Sequence, residues 1–220
     1  MADIFREVDE EVRQDRALAL WNKYQNIIVT LAVLIVIAAG GWRFWQAQQF
    51  KSAVAADEKL QAALTLARDG KSAEAEAALQ DIAKTGPKGY AAIASLRAAA
   101  ETAVKDRKAA VVAFDKLATD ASFDPLLRDV ARLRAAIIRV DDADRKEIEE
   151  RLNPMAAAGQ PFRSSARELL ALAAIKFGDF DAAGRWLDQI VIDEGSPAQM
   201  KQRAEAFLGL VRSDRKPPSK

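Results

Sequence analysis

The stretch "GDFDAAGRWLDQI", Gly178 to Ile190, places a small residue, Ala183, four positions before Leu187 and seven before Ile190. On a helix these three side chains share one face. The small one lets an antiparallel neighbour approach closely, and the two bulky ones fill the space beside it. Gly178-Asp179, just before, is a turn signal. The same small–large–large set recurs upstream. Ala75, Leu79 and Ile82 follow Asp69-Gly70, and Ala110, Phe114 and Leu117 follow "KDRKA". Ala75 and Ala110 lie 35 residues apart, and Ala110 and Ala183 lie 73 apart, about two repeats. The intervening "VDDADRKEIEERLNPM", Val140 to Met155, lacks the small residue and reads as a degenerate unit.

Prolines punctuate the same register. Pro87, Pro125, Pro161 and Pro197 are 38, 36 and 36 residues apart. Asp124-Pro125 and Ser196-Pro197 each join a capping residue to a proline, a helix-start signal. Ser196 with Gln199, and Ser165 with Glu168, have capping-box spacing. The turn signals midway split each unit into two helices. The resulting map is 46–68, 72–84, 89–104, 107–119, 125–140, 143–152, 162–176, 180–192 and 197–212. This pattern resembles the tetratricopeptide repeat. One hairpin cannot bury its own apolar face, so hairpins stack into a solenoid.

Ahead of the repeats lies an apolar run. No charged residue occurs from Tyr24 to Trp42, 19 positions bounded by Lys23 and Arg43. As a helix this spans about 28 Å, close to the ~30 Å hydrocarbon core of a bilayer. Trp21 and Tyr24 flank one end, and Trp42, Phe44 and Trp45 the other, as in an aromatic belt. Thr30 is the one hydroxyl at its centre, and a helical threonine can return it to the backbone. A cleaved signal peptide would want a short basic leader and a small-residue cleavage site. Here the 23 residues before the run hold six acids and four bases, and the run ends in Gly-Gly-Trp-Arg. The expectation is an uncleaved membrane helix over 23–45. Trp21, Lys23, Tyr24, Trp42, Arg43 and Trp45 are its interface anchors. No proline or glycine follows Trp42 before Asp69, so the first repeat helix can continue from the membrane helix. In the leader, 1–22, Ile4, Val8 and Val12 with Phe5 suggest a short amphipathic helix. The charged, proline-containing end, 213–220, reads as a disordered tail.

The fold class expected is therefore all-α: a single N-terminal transmembrane helix, then a tetratricopeptide-like helical-hairpin solenoid over 46–212. Lysine plus arginine exceed aspartate plus glutamate by one, 33 against 32, which argues against a nucleic-acid partner. With no cysteine and no histidine, disulfides, thiol nucleophiles, zinc ribbons and histidine acid–base catalysis are excluded. Phosphate-binding loops and nucleophile elbows are missing, and the carboxylates sit in helical charge patterns such as "DDADRKEIEERL". No enzymatic activity, cofactor, metal or small-molecule substrate is expected.

A concave surface of such a solenoid is usually lined by the first helix of each pair. In register, its residues would include Leu60, Leu64, Ser95, Ala99, Glu168, Leu172, Gln199 and Gln202. Ala75, Leu79, Ala110, Phe114, Ala183 and Leu187 would be the repeat-packing residues. The groove is mixed and mostly neutral, which suits contacts with a peptide or a partner's helix.

The motif Gly41-Trp42-Arg43-Phe44-Trp45, and the segment "GPKGYAAIASLRAAA" from Gly86 to Ala100, resemble the YfgM-like family over nearly the full chain. That resemblance implies a single-pass protein of the bacterial inner membrane, with the N-terminus cytoplasmic and the repeat domain periplasmic. It implies an ancillary, non-catalytic role beside the SecYEG translocon, with a PpiD-like chaperone and emerging polypeptides as partners. A scaffold of another envelope machine, for outer-membrane or cell-division assembly, is the alternative.

Overall fold

The computed structural model describes residues 2–214, with side chains described for 21, 23–27 and 29–213. Among the described residues all regular structure is helical. The elements are α1 (Ala2–Arg68), α2 (Ser72–Thr85), α3 (Lys88–Lys105), α4 (Arg107–Thr119), α5 (Pro125–Arg139), α6 (Arg145–Ala156), α7 (Arg163–Lys176), α8 (Phe180–Ile192) and α9 (Ala198–Asp214). The side chains of the amphipathic stripe at Ile4, Phe5, Val8 and Val12 lie outside the described residues, as does most of the tail, 215–220. Helix α9 itself runs on to Asp214.

The chain divides into two units between Ala55 and Ala56. In the first unit, α1 is helical through the apolar run. Gly40 and Gly41 do not break it, since each costs only about 1 kcal/mol relative to alanine. Thr30 Oγ1 donates to Asn26 O at 2.7 Å, so its hydroxyl is returned to the backbone. The stretch is long and apolar enough to cross a membrane, and none of it is buried.

The second unit begins at Ala56, the first buried residue described. From there α1 (56–68) pairs with α2, α3 with α4, α5 with α6 and α7 with α8; α9 closes the stack. Four apolar clusters hold these hairpins. Each combines a hairpin with the helix that follows it. Leu60, Ala63, Leu79 and Ile82 meet Ala94 and Ala98 of α3. Val111, Phe114 and Ala118 meet Ala131 and Ala135 of α5. Ile148, Leu152 and Met155 meet Ala166 and Leu170 of α7. Ala183, Leu187 and Ile190 meet Ala204 and Leu208 of α9. Every hairpin therefore needs its neighbour to cover it.

The three small positions, Ala75, Ala110 and Ala183, are wholly buried at 0% exposure. The unit that reads as degenerate keeps the register. Ile148, Leu152 and Met155 repeat the four- and seven-residue spacing, with a branched residue at the small position. The cost is visible in the packing: α5 and α6 touch less than α3 and α4 or α7 and α8. Helix α6 also runs to Ala156, past the Leu152 expected. Met155 and Ala156 are buried, and that burial outweighs the interruption by Pro154 in the last turn.

Local chemistry sets the ends. Asp106, Asp124, Asp144 and Asp179 cap α4, α5, α6 and α8, accepting from the N–H of Ala109, Leu126, Glu147 and Ala182 at 2.8–2.9 Å. Gly70 and Gly178 have φ of 76° and 74°. Each sits in a turn where its own N–H and the next residue's reach back to α1 or α7, at Ala67 O and Leu66 O or at Ile175 O and Ala174 O. Two expected capping boxes do not form. Helix α7 starts at Arg163, which puts Ser165 inside its first turn, and Glu168 turns instead to Arg203. Ser196 Oγ pairs with Ser164 Oγ at 2.7 Å, a buried contact between the start of α7 and the approach to α9.

Candidate functional site

The first helix of the second hairpin, α3, presents small side chains on one face: Ala92, Ser95, Ala99 and Thr102. With α2, α4 and the start of α5 they enclose an open cleft of about 1070 Å³. Ala113 and Leu117 of α4 form one wall, and Phe123 and Leu127, around the α4–α5 loop, form the mouth. Leu117, the second bulky residue of its set, is only half-buried for this reason.

The hydroxyls on the floor are committed inward. Ser95 Oγ donates to Ala91 O at 2.8 Å. Thr102 Oγ1 lies 2.9 Å from Glu76 Oε1 and 3.0 Å from Ala98 O. Gln80 Nε2 donates to the same Glu76 oxygen at 3.1 Å. The carboxylates at the mouth are committed too. Asp124 caps α5, and Asp120 accepts from Ser122 N–H at 2.8 Å. The hydrogen bonds from Ser122 hold the Asp120 carboxyl below its ordinary range. Three lysines complete the lining, Lys84, Lys88 and Lys116, all exposed. None of the three forms an ion pair among the described residues. No side chain caps α3, and its first turn holds no acid.

The groove residues expected from the repeat register divide. Ser95 and Ala99 line the cleft. Leu60 and Leu64 do not face a groove: Leu60 is buried and Leu64 packs against it in the first core cluster. Glu168 and Leu172 are half-buried on α7, away from the cleft, and Arg203 holds Glu168 through both oxygens. Gln199 and Gln202 are exposed on α9. All six repeat-packing residues, Ala75, Leu79, Ala110, Phe114, Ala183 and Leu187, are buried. Of the interface anchors, Trp21, Lys23, Tyr24, Trp42, Arg43 and Trp45 are all exposed on α1. Lys23 Nζ lies 5.5 Å from the Tyr24 ring centre, and the Trp42 and Trp45 ring centres are 5.5 Å apart. The lysines, Phe123 and Leu127 escaped the sequence reading. That reading sought the lining on the first helices alone, and here second helices and a loop contribute.

Two ion networks brace the stack. Arg139 grips Glu147 through Nε at 2.9 Å and a terminal nitrogen at 2.6 Å; Arg151 joins Glu147 at 3.0 Å and Asp115 at 2.8 Å. These link α4, α5 and α6 where apolar contact is sparse. The hydrogen bond from Arg139, aided by Arg151, lowers the Glu147 carboxyl to about 2. Asp193, after α8, accepts from Arg163 at 2.8 Å and from Arg167 at 2.9 Å, and Arg163 foremost holds its carboxyl well below the usual range.

Stacked helix hairpins with an open cleft define a helical-repeat scaffold suited to protein–protein interaction. The chain belongs to the tetratricopeptide repeat-like domain family, whose pattern matches residues 19–183. That match takes in the apolar stretch of α1 as well as the hairpins up to the start of α8. Comparison with curated proteins and with solved structures gave no match.

Proposed function

We propose that this chain is a non-catalytic scaffold of the bacterial inner membrane, held by α1 and displaying its hairpin stack in the periplasm. There it sits beside the SecYEG translocon and contacts emerging polypeptides and a PpiD-like chaperone. The observation that carries this is the union of two features in one chain. One is an apolar helical stretch with none of its span buried, the other a stack of helical hairpins with an open cleft. A bilayer satisfies the first, and a polypeptide satisfies the second. The Gly41–Trp45 motif supports the particular placement. Its aromatics favour the membrane interface, and the Arg43 stem can lie along apolar surface while its guanidinium reaches headgroup phosphates.

The test is photo-crosslinking in living cells from a reactive amino acid at Ser95. Adducts with SecY, SecE, SecG, a PpiD-like chaperone or secreted chains are expected. Absence of all of them sinks the translocon reading. Protease treatment of spheroplasts checks the orientation: the hairpins should be cut or exposed from outside, and the N-terminus protected.

A further inference from the structure

From the cleft between α2, α3, α4 and the start of α5 we infer the chemistry of its occupant: an amphipathic helix with an apolar face and carboxylates near one end. This rests on the reading that the hairpin stack binds polypeptide. Three observations carry it.

The first is the state of the backbone partners. An extended peptide must find donors and acceptors for its own N–H and C=O groups. In this cleft the Ser95 and Thr102 hydroxyls are turned back to Ala91 O and Ala98 O, and Gln80 is held by Glu76. The surrounding main chain is already helical. A helical occupant satisfies its own backbone and asks nothing of these groups. The second is the floor. Ala92, Ala99 and Ala113 present only methyl groups, so a helix can come close and gain dispersion contact along its length.

The third is charge. Lys84 lies in the last turn of α2, Lys116 in the last turn of α4 and Lys88 at the start of α3. Antiparallel hairpins bring these three ends together around the cleft. Asp120 and Asp124 are there as well, each accepting a backbone N–H and keeping its charge, and Lys116 acts on Asp120 through space, so the lining sets three ammonium groups against two carboxylates. The three lysines are exposed and in no ion pair among the described residues, so their ammonium donors remain for the carboxylates of an incoming ligand.

The experiment uses the full chain in detergent micelles or nanodiscs and three labelled peptides followed by fluorescence anisotropy. One is an amphipathic helix of alanine and leucine with glutamates at one end. The second has lysines in their place, and the third scrambles the apolar periodicity. The glutamate peptide should bind, and more weakly as salt rises. The scrambled peptide should not. Reversing the three exposed lysines (Lys84→Glu, Lys88→Glu, Lys116→Glu) should weaken the glutamate peptide by roughly tenfold or more and confer binding on the lysine peptide. Ala92→Trp should block both, with circular dichroism confirming that the variant is folded. If charge reversal or Ala92→Trp leaves binding unchanged, or the wild type binds the two charged peptides equally, the inference is overturned. If no peptide binds it is overturned too, while crosslinks to the translocon in cells would stand apart from that result. Peptide binding without such crosslinks would leave the cleft chemistry intact and remove the translocon reading.

Discussion

At the scale of single residues, the fold turns on which side chain occupies the small position of each hairpin. Ala110 and Ala183 have no exposure, so adding volume there has nowhere to go. Ala183→Leu should destabilise by about 1–3 kcal/mol, read from chemical denaturation. Ile148 fills the same position in the third hairpin and is wholly buried. Ile148→Ala should cost about 2–5 kcal/mol, because it leaves a cavity among Ala136, Leu152, Ala166 and Leu170 that the packed helices only partly close. These opposite substitutions test one idea, that the third hairpin is repacked around a branched side chain. The sequence showed the spacing of Leu152 and Met155, but an isoleucine at a small position looks like a lost repeat until the register is seen in space.

At the scale of the element, helix ends were legible because they are decided by neighbours in sequence. Four aspartates cap their helices and two glycines turn the chain through positive φ. Gly178 has open space around it, so Gly178→Ala meets only the backbone penalty, about 1–2 kcal/mol of lost stability. Gly209, inside α9 and also unobstructed, should respond oppositely, with Gly209→Ala raising stability by up to about 1 kcal/mol. Thermal melts of the two variants side by side check the sign. Where elements meet across long sequence separations, local signals failed. Ser196 looks like a cap yet its hydroxyl pairs with that of Ser164, and Glu168 looks like half a capping box yet is held by Arg203.

The join between α5 and α6 gives the stack a defined acid sensitivity. The Glu147 carboxyl is lowered from 4.5 to about 2 by Arg139 and Arg151. A depressed carboxyl pKa means the folded state holds the charged form more tightly than the unfolded chain does. Its contribution is full above about pH 4.5 and is lost as pH falls toward 2. Urea midpoints across that window should drop in the wild type, and Glu147→Gln should be less stable at neutral pH and show a smaller drop. Asp193, lowered in the same direction by Arg163 and Arg167, adds a further loss in strong acid that Glu147→Gln leaves in place.

At the scale of the whole molecule, two units answer to different surroundings. The stretch of α1 with Leu34 and Val36 keeps its apolar side chains exposed, at 57% and 70%. A charge there should oppose membrane insertion by about 2.5–3.5 kcal/mol on translocon-based scales. Val36→Arg should shift the chain out of the carbonate-resistant membrane fraction while leaving the hairpins folded. The sequence by itself determined the helices, the repeat spacing and the apolar span, since each follows from residues within a turn or two of one another. Only the tertiary structure decided which faces look outward. The repeat register alone assigned Leu60 and Leu64 to a groove, but the rotation of each helix is set by what packs behind it, and here that buried Leu60 in the core and laid Leu64, half-buried, against it. The same rotations drew three lysines from separate helices around one alanine floor, a convergence of residues far apart in sequence that no local pattern encodes.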